Sequence, residues 1–254
     1  MSRKPNKKGN QRKLAPVEPK FWHAFIATPA YDGKVDVDFA SSMLSTGFLA
    51  AVNRVVVSAS MMGNGALIDL ARNIFVKQFL EEETDATHLM FVDSDLGFDP
   101  KDLVGLVRAD KPICAGVYPR RGSPIDFPVL WSTSDDGGII VEDEDWLMCD
   151  RVPTGFLCIR RDVLTEMAAD AVQLHLHDQD GPVPQLFYTK IDEEGRFIGE
   201  DYCFCDDYTK RYGKKIPVWM NMDFNHGGHK GNLMKWLEEK IEESEQAENT
   251  SSAA

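Results

Sequence analysis

An alternation of two hydrophobic periods over the first 118 residues limits the possible folds more than any other feature. His23–Ala30 (HAFIATPA), Arg54–Ser60 (RVVVSAS), Thr87–Val92 (THLMFV) and Ile113–Tyr118 are short apolar runs of strand length. Between them, apolar residues recur at helical spacing. Val37–Ala51 and the residue after it carry Phe39, Met43, Phe48, Leu49 and Val52. Leu67–Leu80 carries Leu67, Leu70, Ala71, Ile74, Phe75 and Phe79, and Lys101–Arg108 makes a shorter helix. Strand, helix, strand in repetition predicts an α/β domain with parallel strands and helices on both faces. Ligands of such sheets gather at the carboxyl ends of the strands.

After Pro119 the pattern changes. Short strands are expected at Phe127–Trp131, Ile139–Glu142, Val152–Arg160, Leu186–Ile191 and Ile216–Met222. Helices are expected at Arg161–Ala171, Glu200–Tyr212 and Gly231–Glu243. No internal repeat is present. Residues 1–20 hold seven Lys/Arg against one acid, a net charge of +6, so the remainder stands at −13 − 6 = −19. That tail has almost no aromatic or β-branched content and is expected to be disordered, as is the Glu/Ser/Ala-rich end, residues 244–254. One domain, 21–243, is expected between them.

No apolar run approaches a membrane span, and the basic N-terminus lacks the apolar core of a secretory signal. The five cysteines, Cys114, Cys149, Cys158, Cys203 and Cys205, form no CxxC and read as reduced thiols of a cytoplasmic protein. The acidic body argues against a broad nucleic-acid face. The absence of GxxxxGK[ST] disfavours a P-loop NTPase.

The third apolar run ends in Asp93-Ser94-Asp95. In an extended segment residues two apart point to the same side. Two carboxylates so placed suit a hard divalent cation, Mg²⁺ or Mn²⁺, which neutralises phosphates. Asp-rich turns also follow strands without any metal.

The wider set of motifs runs TPA (28–30), LIDLARN (67–73), DSD (93–95), GVYPRR (116–121), PTGFLCIRRDVL (153–164), GEDYCF (199–204) and NHGGHKG (225–231). In this order it resembles the GT-A glycosyltransferases, enzymes that use nucleotide-sugar donors. The likeness is to the small single-domain enzymes of phages and other viruses, more loosely to fungal mannan-type mannosyltransferases, and it spans about residues 23–232. The resemblance implies an α/β GT-A fold: a Rossmann-like nucleotide half with a mixed central sheet (21–120), then a β-rich acceptor half (121–243). It implies a metal-dependent hexosyltransferase, with UDP-hexose the commonest donor in the family. Asp93 and Asp95 would hold the metal, together with His226 or His229; His226 is favoured because it follows the last strand-like segment. Thr28, Pro29, Ala30 and Tyr31 would frame the nucleoside, with Ser94 and Lys230 also on the donor. Arg72 and Asn73 match an ARN motif. Arg72 either contacts base or phosphate or pairs with Asp69 or Asp93 to order the site. Thr154 and Gly155 would let sugar approach the backbone. Asp201 would be the general base of an inverting transfer, with Glu200 orienting it; carboxylates also sit at helix N-termini for dipole reasons alone. Retention would keep the same fold. A glycan, lipid or protein acceptor ranks ahead of hydroxymethylated DNA bases of a phage. A non-catalytic nucleotide-binding scaffold is the further alternative. A nucleotidyltransferase is disfavoured because no GxGxR-type loop follows the first strand.

Overall fold

The computed structural model describes residues 21–251 apart from 64, 66 and 144; the basic tail, 1–20, lies outside the described residues. The order is β1 (Trp22–Ala30), α1 (Val37–Val52), β2 (Val55–Gly63), α2 (Ile68–Glu81), β3 (His88–Val92), β4 (Leu96–Phe98), α3 (Pro100–Ala109) and β5 (Ile113–Ala115). Then follow β6 (Leu130–Trp131), β7 (Val141–Glu142), β8 (Trp146–Arg151), β9 (Phe156–Arg160), α4 (Arg161–Asp170), β10 (Val172–Leu174), β11 (Val183–Gln185), β12 (Lys190–Ile191) and β13 (Phe197–Ile198). The chain ends with α5 (Glu200–Tyr212), β14 (Ile216–Trp219), β15 (Asp223–His226), β16 (His229–Asn232) and α6 (Leu233–Ser251).

The fold is α/β with a mixed central sheet. Its order is β2-β1-β3-β9-β5-β14-β8-β6, with β7 also on β8. β2, β1 and β3 run parallel, as the alternation predicts. The next parallel strand, β5, does not sit beside β3. β9 enters antiparallel between them, pairing Met90 with Cys158 on one side and Cys114 with Cys158 on the other. A strand flanked on both edges and covered on both faces must be apolar, and Phe156, Leu157, Cys158 and Ile159 are all fully buried. One apolar cluster fills the face under α2, α4 and α5, and a second fills the face under α1 and α3.

Several expected boundaries shift for physical reasons. The segment Val152–Arg160 is a strand only from Phe156, because Pro153-Thr154-Gly155 turns the chain into it. Trp146–Arg151, part of an acid-rich stretch, is β8 and lies antiparallel to β14 with Leu147 and Cys149 buried. NHGGHKG is not a loop but the turn of a hairpin, β15–β16, which pairs with β4 in a separate three-stranded sheet. Gly227 and Gly228 sit at its tip with φ of 56° and 92°, a conformation that suits glycine. The final helix passes Glu243 into the expected tail, a Glu-rich run with good helix propensity.

The face of α1 also differs from its hydrophobic pattern. Phe39 is buried, but Phe48 and Val52 are 82% and 79% exposed. Ser42, Thr46 and Ala50 occupy the buried positions instead. Small residues let α1 lie close to β4, and the hydroxyls are satisfied there. Ser42 Oγ donates to the Phe98 carbonyl at 2.7 Å and accepts the Phe98 amide at 3.0 Å, while Thr46 Oγ1 donates to the Ser42 carbonyl.

Candidate functional site

The carboxyl ends of β1 and β3 open into a cleft of about 340 Å³. Pro29, Ala30 and Tyr31 form one wall, Ile68 and Ala71 of α2 another, and Asp93, Ser94 and Asp95 the floor. Ser94 and Asp95 are not extended. They form a turn in which the Leu96 amide donates to the Asp93 carbonyl at 3.2 Å. The turn, not the pleat, brings both carboxylates to the cleft.

Asp93 is held from three sides. Its amide donates to the Gly155 carbonyl at 2.9 Å. Arg72 Nη2 donates to Oδ1 at 3.1 Å, and the Tyr118 hydroxyl donates to Oδ2 at 3.3 Å. Burial and the facing Asp93 carboxylate raise the Tyr118 phenol well above its ordinary value, so it remains a donor. A Cβ on Gly155 would fall 2.3 Å from both Asp93 Oδ2 and the Tyr118 hydroxyl. Only glycine fits there.

Arg72 is 2% exposed on α2. Burial works against its charge, and Asp93 with Glu200 more than restores it. Arg72 Nε lies 3.6 Å from Glu200 Oε1. The pairing with Asp93 expected as one alternative is therefore present, and Glu200 joins it. This ties the first turn of α5 to the end of β3. The next residue, Asp201, is partly buried; burial, then the neighbouring Glu200 charge, push its carboxyl up to about 6.

Asp95 faces a different set. Arg121 forms an ion pair with its Oδ2. His226 Nε2 lies 3.5 Å from the same oxygen. His226 Nδ1 is 2.7 Å from the Pro119 carbonyl, which fixes that nitrogen as the N–H donor. Burial lowers the affinity of the ring for a second proton. A neutral imidazole therefore presents the lone pair of Nε2 toward a carboxylate. Two electron-rich atoms so close fit a cation between them, and an N–H donating to a carbonyl is the usual support of a metal-binding histidine. The residues fit Mg²⁺ or Mn²⁺ in part. Among the described residues no three His, Cys, Asp or Glu side chains converge on one point. Asp95 and His226 would have to share the ion with phosphate oxygens, as hard cations often do.

The other nominated residues divide. Thr28 and Thr154 are buried with hydroxyls that have no hydrogen-bond partner among the described residues. His229 is outside the Asp95 set; its Nδ1 accepts the Gly122 amide at 3.4 Å. Asn73 is wholly engaged elsewhere: Oδ1 accepts the amides of Leu186 and Phe187, each at 2.8 Å, and Nδ2 donates to the Phe187 carbonyl at 2.7 Å. Lys230 lines a larger groove of about 610 Å³ between α1 and the β15–β16 hairpin, which shares no lining residue with the Asp93 cleft. Chemistry and not size selects the smaller cleft. Trp131 packs near Trp236 against the core. All five cysteines are buried free thiols. No described helix is long and apolar enough to cross a membrane. Tyr118 and Arg121 join the site from the GVYPRR motif, whose sequence alone assigns neither a role.

No protein-family model matches the chain, and no curated protein matches it.

Proposed function

We propose that the chain is a metal-dependent glycosyltransferase that moves a sugar from a nucleoside-diphosphate sugar to an acceptor hydroxyl. The observation that carries this reading is the chain of contacts Tyr118–Asp93–Arg72–Glu200, which joins the end of β3 to the first turn of α5 and sets Asp201 beside it. On this reading Asp93 on the donor side and Glu200, next to Asp201, on the acceptor side are linked through Arg72.

The nucleoside would lie against Pro29, Ala30 and Tyr31, and the diphosphate would reach Asp93–Asp95. Asp95 and His226 would hold Mn²⁺ or Mg²⁺ there, and the ion would supply charge compensation for the diphosphate. Arg72 and Tyr118 fix the Asp93 carboxylate and stop it from turning. Asp201 is the base. Its carboxyl, pushed up to about 6, is ionised at neutral pH yet a better proton acceptor than an ordinary carboxylate. The acceptor oxygen bonds to the anomeric carbon, its proton passes to Asp201, and the bond from that carbon to the diphosphate oxygen breaks with its electron pair. This sequence inverts the anomeric centre.

Calorimetric titration of UDP, GDP, CDP and ADP, each with and without Mn²⁺, tests the reading. Binding of one nucleotide, tightened by Mn²⁺ and lost in Asp95→Asn, supports it and names the donor class. A folded protein that binds none of the four refutes it.

A further inference from the structure

Arg121 carries the main remaining unexplained contact of the cleft. It lies on the loop between β5 and β6, is 53% exposed, and rests on the carboxylate that faces His226. Its place is shaped by the hairpin tip. Gly227 has a φ of 56°, and a Cβ there would lie 2.9 Å from Arg121 Nε and 3.2 Å from its Cζ. The Gly227 amide also donates to the Asp95 carbonyl at 3.2 Å, so the tip, the guanidinium and the acid form one unit.

Arg72 and Arg121 are different kinds of cation. Arg72 is fully buried between two carboxylates, Asp93 and Glu200, and has nowhere to go. Arg121 has one carboxylate partner among the described residues, Asp95, and a half-exposed side chain. A divalent ion approaching Asp95 alone must strip that guanidinium from this carboxylate. A diphosphate arriving with the ion offers the guanidinium a new anion, in the bidentate geometry that arginine suits.

We propose that Arg121 is a tethered occupant of the cation seat on Asp95. It closes the seat while the cleft is empty and moves to the diphosphate when donor and ion arrive together, so that ion and nucleotide bind as a pair and not singly. This rests on the donor-site reading above and adds to it a positioning residue that sets the order of binding.

The test uses the full chain and Mn²⁺ alone, with free ion counted by electron paramagnetic resonance. Arg121→Gln is expected to bind Mn²⁺ on the order of tenfold more tightly than the parent, the scale of one charge-assisted hydrogen bond. Arg121→Gln with Asp95→Asn is expected to lose that gain. Arg121→Lys keeps a charge without the fork and should show a smaller gain; it replaces the glutamine variant if that one does not fold. By reciprocity, the factor by which Mn²⁺ tightens the nucleotide selected in the calorimetric titration should shrink in Arg121→Gln. Equal Mn²⁺ affinity in parent and Arg121→Gln overturns the proposal, and so does a gain that survives Asp95→Asn. Failure of all four nucleotides to bind sinks the glycosyltransferase reading but leaves the Mn²⁺ comparison able to decide the role of Arg121.

Discussion

Asp201→Asn should make the protein more stable at neutral pH while removing the sugar transfer proposed above. The carboxyl has an ordinary value of 3.8 and is pushed up to about 6 in the fold, first by burial and then by Glu200. The folded protein therefore holds this proton on the order of a hundredfold more tightly than the unfolded chain, worth at most about 3 kcal/mol. Below pH ~3.8 both states are protonated and the carboxyl costs nothing. Between about 4 and about 6 the unfolded state gives up the proton first, so stability falls as pH rises. Above about 6 the full cost is present. Asn has the same shape, stays neutral, and its Oδ1 can still accept the Tyr202 amide, which Asp201 now holds at 2.8 Å. Because the side chain is only partly buried, water reduces the gain to about 1–3 kcal/mol at pH 8. A domain of this size shifts its Tm by roughly 2–4 °C per kcal/mol. Urea unfolding of parent and variant at pH 8 and at pH 4.5 measures the effect, which should shrink to about a third at the lower pH. Transfer should fall by about 10²–10⁴ with the Kd for the donor nucleotide unchanged. Equal stability at pH 8, or a gain that persists undiminished at pH 4.5, would refute the electrostatic argument. Loss of nucleotide binding would move Asp201 to the donor side.

Other substitutions probe the frame around the cleft. Gly155→Ala should destabilise by about 1–3 kcal/mol and weaken nucleotide binding, because its Cβ collides with Asp93 and Tyr118; thermal melts with calorimetry check both. Gly47→Ala, in α1 with no described atom within 4 Å of the new Cβ, should instead stabilise by about 0.5–1 kcal/mol in the same melts. Arg72→Met leaves Asp93 and Glu200 without their shared cation and should cost about 3–5 kcal/mol, read by urea unfolding at pH 7. Asp102→Asn, outside the lining of the cleft, should stabilise above pH 7 and not below pH 4, since burial and then Asp99 push that carboxyl up to about 7; a pH series of melts follows it.

The parallel β1–β3 core and the clustering of acids at its carboxyl end were legible because they depend on short-range pattern. Strand runs ended in polar residues, and α/β sheets put ligands there. What was not legible is what long-range contact decides. Asn73 sits beside Arg72 in the same motif, yet one faces the acids and the other clamps Leu186 and Phe187, more than a hundred residues away. Nothing local separates the two. The apolar spacing along α1 does not show which residues face the core, because pattern cannot show that a close contact with β4 takes Ser42 at a buried position. The hairpin β15–β16 was hidden by its glycines, which read equally as a loop. Arg121 left a fainter trace: two adjacent arginines after a strand in an acidic chain, with no local clue to which acid they serve.

The insertion of β9 between β3 and β5 has a consequence for how the chain comes off the ribosome. The first 118 residues supply five strands and three helices, enough by count for a small domain, yet β3 and β5 never touch as neighbours. Their facing edges stay unpaired until residues 156–160 have been synthesised, and β14 must still arrive to cover the far edge of β5. A nascent N-terminal half would therefore expose two apolar strand edges for the time needed to make about forty more residues, at roughly 5–20 residues per second. The boundary between the two halves is a boundary of sequence and not of folding, and a fragment cut at residue 120 is expected to aggregate and not to bind nucleotide.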